Sequence, residues 1–381
     1  MIYLDNAATT YPKPESVYSF VDSVQRSMAF NSGRGSYKKA QKSNAIIEDT
    51  RNKLAELFKC TAQNVVLSPS ATIAMNQLLY GLNLTRRTVY ISPFEHNAVV
   101  RVLHALSEEY DVKIEILPFD SITQQLDETE MNNRFAINHP DLVVLNHISN
   151  VTGVITPVDI IFNSAKEYGA LTILDASQSA GLLDIDLRKL KCDYIVFAGH
   201  KSLYGHIGIG GFVINNNLNS LKKMLCGGTG SDSLNPEMPS LMPDKYEPAS
   251  HNIIAISSLN ASLEWIKEIG IEKIRDHKKR LTKYALECLK TINEIKIYAP
   301  DKLENHISVI SFTHKEYKPH ELAEILDEDF DIAVRCGYHC APYVHKLIGT
   351  DKTEGTVRLS FSYFNTEEHI DALVNALQEI E

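Results

Sequence analysis

The sequence predicts an α/β protein in which a mostly parallel seven-stranded sheet forms a large unit joined to a smaller α+β unit. Three observations lead there. Short apolar runs alternate with helix-period segments through the first two-thirds of the chain. Those runs are apolar at consecutive positions, as strands covered on both faces are. The pattern then changes after about residue 255, where two long helical segments precede the next strands.

Taken in order, strands are expected at 65–67, 88–91, 113–117, 142–146, 171–174, 194–198 and 211–214. Helical stretches lie between them. In 44–58, for example, Ile46, Ile47, Leu54, Leu57 and Phe58 fall mostly on one face. Right-handed crossovers would place the loops that follow the strands on one edge of the sheet, where open α/β sheets bind ligands. Beyond residue 255, helices are expected at 258–269, 273–292, 319–327 and 366–380. Strands are expected at 307–312, 332–335 and 356–361. The division is set at 15–255 for the large unit and 256–381 for the small one, with 1–14 packing back across the boundary to join the latter.

A chain of 381 residues suits one large domain with a smaller companion. It can bury enough apolar surface to fold without disulfides or metals. The formal charge of −10 argues against a broad nucleic-acid surface. The N-terminus lacks a basic segment followed by an apolar stretch, and no apolar run approaches the length of a membrane span. The six cysteines are scattered, with only Cys336 and Cys340 close together, which speaks against a disulfide framework. A cytoplasmic enzyme with reduced thiols is the expectation.

Candidate site residues cluster just past the strand ends. The run 193–201 reads as a strand stopped at Gly199 and followed by His200 and Lys201, with a glycine-rich segment at 205–211. An amine at the edge of an apolar sheet loses charge on burial and becomes a nucleophile for Schiff-base formation; a solvated loop lysine is the alternative. Asp175 closes the strand at 171–174, either as a buried carboxylate that needs a partner or as a helix cap. The run Ser68-Pro-Ser-Ala-Thr opens a helix, and free N–H groups there, at Ala71 and Thr72, suit a phosphate; an ordinary Ser/Thr cap is the alternative. His96 could stack on a flat ring or be a surface histidine, and Asn150 could donate to a ring oxygen. Five such residues from five strand ends would meet on one edge.

These stretches resemble the class V aminotransferase-like enzymes of fold type I that use pyridoxal 5′-phosphate (PLP), and within them the group II cysteine desulfurase / selenocysteine lyase branch. The matching runs are LDNAATTYPKP at 4–14, NSGRGSYKKA at 31–40, FEHNAVV at 94–100, HISNVTGVITP at 147–157 and LDASQSAG at 174–181. They continue with FAGHKSLYGHIGIGG at 197–211, GGTGSDS at 227–233, RCGYHCAP at 335–342 and TVRLSFSYFNTEEHID at 356–371. The resemblance implies that Lys201 carries the cofactor, Asp175 pairs with its pyridine nitrogen and His96 stacks on its ring. Asn150 and Gln178 would contact the ring oxygen, and Thr72 and His200 the phosphate. Arg358, with Arg335, would bind the substrate carboxylate, a task suited to a guanidinium fork. A homodimer would complete the site, with Ser250 reaching the partner's phosphate. Ala198 stands where many relatives carry a serine or threonine on the phosphate, so that contact is not expected here. The segment GHKSLYGHIGIGG is also one residue longer than its counterpart in many relatives.

PLP chemistry alone would fit transamination, elimination, racemisation or sulfur transfer. Cys340 discriminates, since desulfuration needs a thiolate to accept sulfur from cysteine as a persulfide. Arg335 and His339 nearby are expected to favour the thiolate. The 18-residue interval from Cys340 to Arg358 is short, which by resemblance implies hand-over to a sulfur-acceptor protein. A structural thiol and a zinc site built from Cys336, His339, Cys340 and His345 are the alternatives. L-cysteine desulfuration leads, with selenocysteine lyase or a class V aminotransferase or epimerase behind it. A non-catalytic scaffold of the same fold is the reading from outside enzymology. No nucleotide-binding G-x-x-x-x-G-K-[ST] motif occurs.

Overall fold

The computed structural model describes residues 1–32, 35, 37–215, 221–231, 234–300 and 302–380. Gly33, Arg34 and Ser36 of the 31–40 run, and Asp232 and Ser233 of the 227–233 run, lie outside the described residues.

Among the described residues, thirteen strands form three sheets. The first strand, β1 (Ile2–Tyr3), belongs to the smallest of them. The large sheet holds β2 (Val65–Ser68), β3 (Thr88–Ile91), β4 (Lys113–Ile116), β5 (Leu142–Asn146), β6 (Leu171–Asp175), β7 (Tyr194–Ala198) and β8 (Gly210–Ile214). Their order across the sheet is β2-β8-β7-β6-β5-β3-β4. The neighbours from β7 to β4 pair in parallel, whereas β8 is antiparallel to both β2 and β7. That exception has a local cause. Residues 199–209 carry no helix, and a strand reached without a crossover helix returns antiparallel.

Every residue of β2, β5, β7 and β8 is buried, which explains why they read as unbroken apolar runs. Period-two alternation still divides the side chains. Val143, Leu145, Ile195 and Phe197 enter one core, while Leu142, Val144, Val196 and Phe212 enter another. The helices Lys38–Phe58 and Ile253–Ile269 cover the first face through residues such as Ile47, Leu54, Phe58, Leu259 and Leu263. The helices Ala71–Gly81 and Asn97–Tyr110 cover the second.

The second sheet runs β12 (Arg335–Gly337), β13 (Thr356–Ser360), β10 (Val309–His314) and β9 (Ile295–Tyr298), antiparallel throughout. Ile310, Phe312, Leu359 and Phe361 pack there with Leu281, Leu322 and Leu373. β1 pairs in parallel with β11 (Ile332–Ala333), and Leu4 joins the same core, so the N-terminal segment is fastened to the C-terminal part of the chain. Among the described residues no helix is long and apolar enough to cross a membrane.

Candidate active site

Because β3, β5, β6 and β7 run parallel, their C-terminal ends open on one edge of the sheet. β2 runs the same way, being antiparallel to β8, which is itself antiparallel to β7. A cavity of about 220 Å³ lies along that edge. Lys201, three residues past β7, lines it together with Asp175 at the end of β6 and Asn150 beyond β5. His96, His200 and Gln178 also line it, as do Ala71 and Thr72 at the start of a helix. Arg335 and Arg358 close it from β12 and β13. These ten sequence-predicted residues are brought together.

Burial pushes the Lys201 amine below its usual 10.5. Asp175 opposes that shift, while the Arg358 and Arg335 charges reinforce it. A larger share of the amine is therefore uncharged near neutral pH, as a nucleophile requires. Asp175 is 6% exposed and accepts the Ser177 N–H at 2.9 Å. No helix begins there, so the capping alternative reduces to a turn.

His96 caps the helix Asn97–Tyr110, its Nδ1 accepting the Ala98 N–H at 3.0 Å. That acceptor role places the ring hydrogen on Nε2. Burial first, then Lys201, pushes its pKa down to about 4, so the ring lining the cavity is flat and neutral. His200 falls to about 4 for the same two causes, with Lys13 adding a further charge.

Ser70 caps the helix Ala71–Gly81 by accepting the Ile73 N–H at 3.2 Å. The earlier N–H groups, at Ala71 and Thr72, have no intrahelical acceptor and front the cavity. The helix start lies close against β8. A Cβ on Gly210 would stand 2.7 Å from the Ala71 nitrogen and 2.8 Å from the Phe197 carbonyl oxygen, so this glycine lets the helix start approach the sheet.

Arg358 is 1% exposed. Its Nη1 donates to the Asn150 carbonyl at 2.9 Å and its Nη2 pairs with Asp5. Asp5, missed by sequence reasoning, could have been sought as the anion that a guanidinium inside an apolar strand must have. Lys13 was missed as well. Its Nζ donates to the His200 carbonyl at 3.0 Å, and Thr10 Oγ1 donates to the Lys201 carbonyl at 2.8 Å. The N-terminal run thereby grips the lysine segment.

Cys340 sits outside the lining, exposed, with Arg335 Nη2 at 3.7 Å from its sulfur. The expected help from a charged His339 is absent. That ring is 3% exposed, bonds Thr356, and is held well below 6.5 by burial and then by Arg358. Arg335 is thus the cation beside the thiol. Among the described residues no cluster of three or more His, Cys, Asp and Glu is placed to hold a metal ion. Ser250 lies away from the cavity and lines a surface hollow with Arg51 and His251.

Several residues lining the cavity carry buried polar atoms without a protein partner, among them Asn150 Oδ1, Ser177 Oγ, His200 Nδ1 and Arg358 Nε. Together with a buried amine of lowered pKa, a buried carboxylate and a helix N-terminus, they form a set of donors and acceptors that fits PLP.

The sequence matches the aminotransferase class-V family over residues 2–373. It is 31% identical over 387 residues to a probable cysteine desulfurase of Pyrococcus abyssi, covering 100% of this chain and 94% of that protein. It is 30% identical over 391 residues to a probable cysteine desulfurase of Methanothermobacter thermautotrophicus, again covering 100% and 94%. Among solved structures it is similar to the apo cysteine desulfurase of Thermococcus onnurineus. That likeness has a TM-score of 0.91 and 28% identity, over 100% of this chain and 94% of the other.

Proposed function

The chain belongs to the aminotransferase class-V family, whose enzymes depend on PLP, and we propose that it is a cysteine desulfurase that keeps the sulfur on Cys340. The observation that carries this reading is the exposed Cys340 thiol. It stands 3.7 Å from Arg335, which lines the cavity together with Lys201 and Arg358.

Lys201 would hold the cofactor, and Asp175 would pair with its pyridine nitrogen. Thr72, Ala71 and His200 would take its phosphate, His96 would stack on its ring, and Asn150 and Gln178 would serve its ring oxygen. When bound, PLP supplies an electron sink that stabilises negative charge on the substrate carbons. Arg358 and Arg335 hold the cysteine carboxylate. The Lys201 amine would move the α-proton as general base. The Cys340 sulfur then forms a bond to the substrate sulfur as the substrate's C–S bond breaks. The bonding pair stays with carbon, which takes up a proton. Cysteine and one thiol thus become alanine and a persulfide on Cys340, with no external oxidant.

The same reading includes a large unit of 15–255 and a small unit of 1–14 with 256–381. It has two copies of the chain completing each site, with Ser250 serving the partner's phosphate. The exposure of Cys340 supports hand-over to an acceptor protein, the charge of −10 speaks against nucleic acid as a partner, and the scattered free cysteines support a reducing, cytoplasmic setting. The test is product stoichiometry. With PLP, L-cysteine and a reductant, the protein should release sulfide and alanine in equal amounts. Transamination of cysteine without sulfide would overturn the reading.

A further inference from the structure

The turn that carries Cys340 is held from several directions. His339 and Cys340 both have positive φ, 48° and 59°. Consecutive left-handed residues other than glycine persist only where their surroundings fix them. The His339 carbonyl accepts from Asn150 Nδ2 at 2.7 Å, and the Cys340 carbonyl accepts from the Asn97 N–H at 2.7 Å. Beneath the turn, His339 Nε2 lies 3.1 Å from the Thr356 carbonyl oxygen and 2.9 Å from its Oγ1. A carbonyl only accepts, so Nε2 carries the ring hydrogen, while Nδ1 is buried without a partner.

Two of these ties, through Thr356 and Asn150, lead back to Arg358. Thr356 is two residues from it on β13, and Asn150 offers it a carbonyl at 2.9 Å. We infer that His339 is a positioning residue for sulfur transfer: its bond to Thr356 fixes the Cys340 turn to the strand that carries the carboxylate-binding arginine. This inference rests on the reading of Cys340 as the sulfur-accepting group. The nucleophile is then presented by a fixed turn, and an acceptor must come to the exposed sulfur. Burial, which holds the His339 ring uncharged, suits a tether and not an acid or base.

His339→Asn keeps a residue that tolerates the left-handed conformation but is too short to reach Thr356. His339→Gln keeps an N–H at the reach of Nε2. In the PLP-loaded enzyme, the Asn variant should keep the cofactor's absorbance and the spectral change on binding cysteine. Alkylation of Cys340 by iodoacetamide should proceed at about the wild-type rate. Single-turnover persulfide formation, read by mass spectrometry, should fall about 10²-fold, the scale set by a misplaced reacting group. The Gln variant should restore most of it. Should the Asn variant not fold, Thr356→Ala takes its place under the same criterion. Wild-type persulfide formation in the tether-cut variant overturns the inference while leaving the desulfurase reading intact. Persulfide-dependent turnover surviving in Cys340→Ala removes that reading itself.

Discussion

Arg335 and Arg358 stand directly opposite each other on adjacent antiparallel strands, as register partners on β12 and β13. Like charges in that relation destabilise a sheet. Here Asp5 pairs with Arg358, while Arg335 turns toward the Cys340 sulfur. Two guanidinium groups with one carboxylate leave positive charge at the cavity wall, ready for an anionic ligand. Arg358→Lys should raise the KM for cysteine by about 10- to 100-fold, the scale of a lost charge-assisted hydrogen bond. Cofactor absorbance should be unchanged. An unaltered KM in steady-state assays would move the carboxylate elsewhere.

Glu247 holds the Arg51 guanidinium with both oxygens, each at 2.6 Å, and also accepts the Leu67 N–H at 2.5 Å. Both side chains are almost wholly buried. Glu247→Ala leaves the buried cation with only a longer contact, 3.6 Å, to the exposed Glu48, which should cost about 3–5 kcal/mol in chemical denaturation. A loss no larger than that of a surface substitution would contradict the bracing role of this pair.

Gly210→Ala places a methyl group against the Ala71 nitrogen. Overpacking of this kind should cost about 1–3 kcal/mol. It should also displace the helix start assigned to the phosphate, so PLP should dissociate more readily in dialysis. Unchanged PLP retention would argue that the phosphate lies elsewhere.

Lys278 is 4% exposed, and burial lowers its pKa to about 7. Between pH 7 and about 10.5 the unfolded chain therefore binds more protons than the folded one at this residue, so its burden on stability eases as pH rises. Below pH 7 the burden is at its full size. Lys278→Met should thus raise the urea midpoint more at pH 6 than at pH 9. An equal gain at both values would show that the lysine escapes its apolar surroundings.

The sheet and the lysine edge were legible because β2, β5, β7 and β8 are buried at every position, so their apolar runs end abruptly where the loops begin. The expected strand at 332–335 was one unit in sequence but two in space. Ile332 and Ala333 pair with β1, whereas Arg335 pairs with Arg358. β9 escaped notice because none of its four residues is fully buried and Lys296 is exposed. The link between Asp5 and Arg358 joins positions 353 apart, which no local pattern encodes. His339 is the instructive case. Its place beside Cys340 in sequence suggested a helpful charge, yet a left-handed backbone turns the ring into the core.

The most direct test compares wild type with Cys340→Ala, recording visible absorbance and assaying sulfide and alanine from L-cysteine with a reductant present. The account predicts the lysine-bound PLP band in both proteins and sulfide release from wild type alone. Cysteine-dependent sulfide release that survives the substitution would contradict it.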